Sequence, residues 1–534
     1  MQTIATVAGL CVVATALAAC SGGGGSTSND PKASTGASFV NGATFTMSLT
    51  ADPGNLDPQL SAANAVFQTT SFGYDTLIHN DKEGKLSPQL ATSWKVSGTT
   101  ATMELRPGIT CTDGSPFTAE DAAANINFVG DATNKSPLLK TYVPPGATAT
   151  AAGSTLTVTL KTPVPFLFQG LANVYMVCKK GMADRKTLAN KTDGTGLYSL
   201  TEDVAGDHVG YTKRAGYTWG PGGVTSDTKG LPDKVVVKFV SNETTAANLL
   251  LSGGLNASTI LGPDGKRLQA ANLFVSKATA LRGEMWYNQA AKRPGSDPAV
   301  RKALTQAVDL PQLAKVLTSG EGTAATTLAV AAPVACPGDS VAKALPPHGL
   351  DQAKQTLDAA GWKAGSDGTR TKDGTPLALT FLYSTGSGAS GSAAAELAAS
   401  TWKQLGANVT TQAKSDPQVI QTVLGGSGDW DVVWLPLNVS SPDQLVPFLS
   451  GPTPKAGNNF AGIKNAAYDA GVAKASKLEG AAGCSDWLAA ESDLIKDADV
   501  IPFANNLIKT FGKGAQFDFG FNAVVPATIR MTAG

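Results

Sequence analysis

The chain has 534 residues, with 42 Lys plus Arg balancing 42 Asp plus Glu and only 16% charged residues overall. That balance excludes a polybasic nucleic-acid surface and an acidic solvating tail, while 42% apolar residues exclude wholesale disorder. The length suits two to four domains of about 100–200 residues each.

Ile4 to Ala19 is almost entirely apolar or small. It is shorter than the about 20 apolar residues a membrane span needs. It suits a signal-peptide core with a small-residue exit, although Met1-Gln2-Thr3 lacks the usual Lys or Arg. Leu17-Ala18-Ala19-Cys20, followed by a Gly/Ser string, reads as a lipoprotein cleavage site. Cutting before Cys20 would leave that cysteine first and free to carry lipid. Residues 1–19 are then signal peptide and 20–42 a lipid-anchored tether. Its about 18 Gly/Ser-type residues span roughly 23 Å. The other reading is a short buried helix with an ordinary Cys20 thiol. No later apolar run is long enough to cross a bilayer.

Phe45, Met47 and Leu49 alternate with Thr44, Thr46 and Ser48, which predicts a half-buried strand. Leu156, Val158 and Leu160 repeat the pattern, and Val235, Val237 and Phe239 mark a further strand. A helix is predicted over 243–252, stopped by Gly253-Gly254. Ser296 reads as the N-cap of an amphipathic helix carrying Val300, Ala303, Leu304, Ala307 and Val308. From Leu377 to Leu435 the pattern is β-α-β-α-β, with helices over 393–405 and 417–424 and a small-residue loop over 386–392. Such a unit implies right-handed crossovers and a mainly parallel sheet. The N-terminal part is richer in hairpins and predicts a mixed sheet.

Without Cys11 and Cys20, four cysteines remain: Cys111, Cys178, Cys336 and Cys484. An even number in an exported chain favours disulfides, and four cysteines allow three pairings. Cys111–Cys178 with Cys336–Cys484 keeps each pair within one half of the chain. Four buried free thiols are the alternative. No C-x-x-C spacing suggests zinc or redox chemistry.

Catalytic signatures are missing. His79, His208 and His348 lie far apart, and no H-E-x-x-H, G-x-S-x-G or P-loop occurs. Carboxylates are plentiful, but nothing marks a glycosidase pair. No cofactor or metal is implied. Tryptophans are more informative. Trp94, Trp362, Trp402 and Trp487 read as core, whereas Trp430 and Trp434 end a predicted strand, where α/β sheets bind ligands. An indole there offers a broad apolar face and one donor. Trp286, in Met285-Trp286-Tyr287-Asn288, is similar.

The run from Asp81 to Asp121 carries Gly84-Lys85-Leu86, Pro88 to Ala91, Ser93-Trp94, Leu105 to Gly108 and Asp113 to Asp121. This order resembles the family 5 extracellular solute-binding proteins, the peptide/nickel-type receptors of ABC importers. Asn55-Leu56-Asp57-Pro58, Gly194-Thr195-Gly196-x-Tyr198, Val300-Arg301-Lys302-Ala303-Leu304 and Ala359-Ala360-Gly361-Trp362 extend the likeness from about residue 43 to 510. Leu197 stands where the family's turn carries Pro.

The resemblance implies an α/β, two-lobed fold of the periplasmic-binding-protein type II kind, with mixed sheets and an extra subdomain in the first lobe. Expected boundaries are 43–270 for the first lobe, with an insert about 75–190, then 271–500 for the second lobe and 501–534 for a return to the first. It implies a monomeric, non-enzymatic receptor that captures a small polar solute, a peptide or peptide-like compound by family precedent. The lobes would close over the solute by hinge motion. Partners would be the solute, an ABC permease and its ATPase, and the cell membrane through Cys20, on its extracytoplasmic face. The alternatives are an exported hydrolase, or a binder of oligosaccharide or metal chelate. Ligand-contact candidates are Asn55, Asp57, Trp286, Tyr287, Trp434 and Asn438. One departure matters: peptide-binding members carry an aspartate shortly after the strand-end tryptophan, and that position is Leu437 or Asn438 here. A buried ammonium needs a partner charge, so ordinary recognition of a free peptide N-terminus lacks its usual partner, with Asp443 a substitute only if the loop is reshaped.

Overall fold

Ten strands of one sheet thread through both halves of the computed structural model, which describes residues 38–61, 63–426, 428–520 and 523–533. The expected signal peptide, Cys20 and all but the last few residues of the expected tether lie outside the described residues. In spatial order the strands are Asn408–Lys414, Ala378–Ser384, Val432–Trp434, Phe274–Tyr287, Val500–Gly512, Ala257–Thr259, Thr44–Leu49, Lys234–Phe239, His208–Lys213 and Tyr198–Val204. The first three positions build the second lobe and the last five build the first. Phe274–Tyr287 and Val500–Gly512 pass between them, paired antiparallel from Phe274↔Gly512 to Trp286↔Val500. A 14-residue strand reaches about 45 Å, enough to serve both lobes. The register shifts only around Leu281, Gly283 and Glu284, where a bulge adds twist and a bend.

The expected β-α-β-α-β unit is present. Ala378–Ser384 pairs parallel with both Asn408–Lys414 and Val432–Trp434. Its first helix begins earlier than the sequence suggests, at Gly388, so most of the small-residue loop is helix. Alanines at 394, 395, 398 and 399 let that helix pack close, and the burial they gain outweighs the glycine cost. The helix after Asp297 runs Pro298–Ala307. Asp297, not Ser296, is its cap: the Asp297 carboxylate accepts the Ala299 N–H at 2.9 Å, while Ser296 Oγ donates back to the Arg293 carbonyl. Pro at the next position favours this start, since it needs no N–H partner.

The hairpin-rich region forms its own antiparallel sheet, ordered Ala91–Ser97, Thr100–Leu105, Thr155–Thr159, Thr148–Ala152, packed on helix Ala119–Gly130. This is the extra subdomain of the first lobe. Thr118 and Asp121 cap its helix reciprocally. Gly196 lies so close to Gly73 and Tyr74 that a Cβ would approach their backbone to about 2.5 Å, which accounts for the Gly-Thr-Gly turn. Both expected disulfides form: Cys111–Cys178 in this subdomain and Cys336–Cys484 in the second lobe.

The central strands of the second lobe are buried on both faces, unlike the edge strand Asn408–Lys414. Met285, Tyr287, Val432, Trp434 and Phe381 fill one core, and Trp286, Val433 and Leu382 fill another. Alternation by two residues sends neighbours in sequence to different cores. Trp362, Trp402 and Trp487 are core residues as expected, and Trp94 is half-buried against Phe168.

Buried charges tie segments together. Arg301 pairs with Asp499 at 2.9 Å, linking the Val-Arg-x-Ala-Leu helix to the start of the second crossing strand. Asp57 pairs with Arg185, whose guanidinium lies 3.8 Å over the Phe128 ring. Glu491 accepts from Ser340 Oγ at 2.8 Å and Leu328 N at 3.3 Å, holding the segment 328–340 in place. Burial pushes the Glu491 carboxyl up to about 7.

Arg185→Met should cost about 3–5 kcal/mol, because it strands the Asp57 carboxylate without a cation. An unchanged urea midpoint would contradict that pairing. Glu491 binds its proton more tightly folded than unfolded, so its contribution is complete below about pH 4.5 and is lost as pH rises through about 7. Glu491→Gln should therefore flatten the fall in stability across that window by up to about 3 kcal/mol. Equal slopes for both proteins would refute the assignment.

Candidate solute site

Thr44–Leu49, Lys234–Phe239 and Ala257–Thr259 run parallel and end on one side of the first lobe. Ligands of open α/β sheets bind beyond such carboxyl ends. A cavity of about 290 Å³ lies there. Thr50 follows the first strand, Asn64 and Gln68 project from helix Asn64–Thr70, and Ile508 belongs to a crossing strand. The floor is stapled by paired hydroxyls, Ser48 to Ser258 and Thr259 to Thr510, both at 2.8 Å.

Glu243 is the acidic side chain of this wall, and it is already engaged. Its carboxylate accepts the N–H groups of Leu261 and Gly262, the latter at about 3 Å. It also sits in the first turn of helix Glu243–Ser252, where the helix dipole favours a negative charge. This clamp presents Leu261, 67% exposed, at the cavity edge. The arrangement offers apolar contact and neutral hydrogen bonding through Thr50, Asn64 and Gln68.

A second cavity of about 90 Å³ adjoins the first, with Phe519 lining the larger and Gly520 the smaller. Asp75 borders it. Gln89, Tyr217, Thr195 and Trp219 all donate to Asp75, at 2.8, 3.1, 3.0 and 2.9 Å. Burial nevertheless pushes this carboxyl up to about 6, against the pull of those donors and of Arg214. His79, also on this wall, is pushed down by burial and favours the neutral imidazole.

On the second lobe, the segment after Trp434 lies along the first crossing strand. Leu435 N donates to the Glu284 carbonyl at 3.1 Å, and Trp286 Nε1 donates to the Leu435 carbonyl at 2.9 Å. Leu437 N donates to Glu284 Oε2 at 2.8 Å. Asn438 imitates a strand partner: its Oδ1 accepts from Leu281 N at 2.7 Å and its Nδ2 donates to the Leu281 carbonyl at 3.2 Å. Glu284 is fully buried, and desolvation raises its carboxyl well above the usual range.

The structure separates the six sequence-derived contact residues. Trp434, 6% exposed, packs its ring between Phe381 and Phe503, with centroids 5.0 and 5.2 Å away. Trp286 is buried against Phe460, and Tyr287 bonds Thr305 inside the core. Asp57 is committed to Arg185, and the exposed Asn55 accepts the Asp57 N–H at 2.8 Å. Asn438 is committed to Leu281. None of the six lines the strand-end cavity. Asn64, Gln68, Glu243 and Leu261, which do, carry no distinguishing motif. Glu243 alone carries a sequence signal, its position just after the predicted strand Val235–Phe239. Asp443, the other acid near this segment, is engaged by Ser441 Oγ and raised by burial.

Comparison with known proteins agrees with this architecture. The family model for bacterial extracellular solute-binding proteins, family 5 middle region, matches residues 85–457. Protein XP55 of Streptomyces lividans is 29% identical over 333 residues, covering 59% of this chain and 57% of that protein. The glutathione-binding protein GsiB of Escherichia coli is 30% identical over 335 residues, covering 61% of each. The chain thus spans about three-fifths of the length of these curated relatives. Among solved structures, NikA from Brucella suis in complex with Fe(III)-EDTA superposes with a TM-score of 0.74 at 22% identity, over 91% of this chain and 99% of that one. At that identity the likeness concerns the fold. Among the described residues no helix is long and apolar enough to cross a membrane. With the family match covering most of the two-lobed body, the chain belongs to the family 5 bacterial extracellular solute-binding proteins.

Proposed function

We propose that this chain is the receptor of an ABC importer, capturing a small polar solute between its lobes and presenting it to a permease and ATPase. The observation that carries the reading is the 290 Å³ cavity at the parallel strand ends, directly beside the crossing strands. A solute held there touches the element that must bend when the lobes close. Lipid attachment at Cys20 would keep this monomeric receptor on the outer face of the cell membrane.

The solute is a peptide or peptide-like compound whose amino end is blocked or lies elsewhere. The segment that would meet a peptide's ammonium presents Leu437 and an Asn438 already bonded to backbone. Backbone amides of a solute can instead be matched by Gln68, Asn64 and Thr50. GsiB, a glutathione-binding relative, makes a modified peptide a natural first probe.

Native mass spectrometry of the purified protein should show a bound small mass that denaturation releases. In titrations, N-acetylated peptides should bind at least as tightly as their free-amine forms. Gln68→Ala should weaken the best binder about five- to ten-fold, one neutral hydrogen bond, at an unchanged urea midpoint. Binding that demands a free amine would overturn the solute class. Turnover of chromogenic ester, peptide or glycoside substrates would overturn the receptor reading itself.

A further inference from the structure

We infer that Phe166 of the first lobe is a latch that seats in a disulfide-walled socket of the second lobe and sets the balance between closed and open receptor. The proposal rests on the two lobes acting as a closing receptor.

Phe166 follows the subdomain strand Thr155–Thr159, far in sequence from the second lobe, yet it is only 3% exposed. Its cluster consists otherwise of second-lobe residues: Ala335, Cys336, Ala475 and Trp487, with Cys484 at the edge. The Phe166 and Trp487 ring centroids are 6.1 Å apart. Beside it the Gly480 N–H donates to the Pro165 carbonyl at 2.8 Å, a backbone bond across the two lobes. A second close approach lies at Gly84, whose left-handed turn (φ +83°) sits against the Val334 carbonyl. A Cβ there would come within 2.2 Å of that oxygen.

The socket is built to hold its shape. Cys336–Cys484 fixes one end of the segment 328–340 to helix Cys484–Lys496. The buried Glu491 binds the same segment through Leu328 N and Ser340 Oγ. The segment also reaches the solute side. Ala331 N donates to the Val439 carbonyl at 3.0 Å and Ala335 N to the Ser440 carbonyl at 2.8 Å. Val439 and Ser440 directly follow Asn438, which is bonded to the crossing strand at Leu281. A contiguous set of bonds therefore runs from the latch to the bulge where the lobes can bend. Phe166 is a positioning residue: it acts through lobe closure and has no role in touching solute.

The test uses the intact protein. Phe166→Ala removes most of a buried aromatic ring, which should move the closed–open balance toward open by roughly ten-fold or more. The Gly480 amide should then exchange with solvent about ten-fold faster or more, and the radius of gyration by solution scattering should rise. The urea midpoint should stay near wild type. Phe166→Leu should restore part of the protection. Should Phe166→Ala fail to fold, Gly84→Ala decides, because it wedges the second contact of the same lobe interface apart without touching either core. Wild-type exchange at Gly480 and wild-type scattering in the folded variant would overturn the latch. These readouts need no solute, so they fail independently of the peptide titrations.

Discussion

Pairing of Phe274–Tyr287 with Val500–Gly512 is the constraint on which the rest of the molecule depends. Two chain segments hydrogen-bonded over this length cannot slide past each other, so the lobes can move only by bending the pair. The ladder is irregular only near Leu281 to Glu284. That is where Asn438 and Leu437 attach from the second lobe. Ile508, further along the partner strand, forms part of the first-lobe cavity wall. The candidate cavity, the strand-end segment and the bulge thus share one ladder.

Buried charge secures the parts that must not move. Arg301–Asp499 holds the second crossing strand to its supporting helix, and Asp57–Arg185 holds the chain after the first strand to the inserted subdomain. Such pairs gain little over apolar packing, but losing one partner is costly, so each specifies a single arrangement. Glu284, Glu491 and Asp75 solve burial differently. Each is pushed upward by desolvation and is held by uncharged donors. All three lie away from free solvent, at joints between segments distant in sequence.

Much of the fold was legible in the sequence. The alternating strand at 44–49, the β-α-β-α-β order and the cysteine parity all report local physics, and the structure carries each. The site was less legible, for a definable reason. Met285-Trp286-Tyr287 and Val432-Val433-Trp434 are apolar on both faces because both faces are buried. Alternation then carries no signal about which side a ring takes. Trp434 belongs to the inner core by its parity with Val432, a fact visible only once the sheet is assembled. Asn438 was selected by alignment to an expected acid, yet its amide completes a strand edge. Asn64, Gln68 and Leu261 come together only through tertiary packing of elements up to about 200 residues apart.

The account centres on a solute held at the first-lobe strand ends beside the crossing pair. A crystal structure of the protein with its co-purified solute tests this most directly. Solute density is expected in contact with Gln68 and Thr50 on one side and with Ile508 of the crossing strand on the other. Solute bound elsewhere, with this cavity empty, would contradict it.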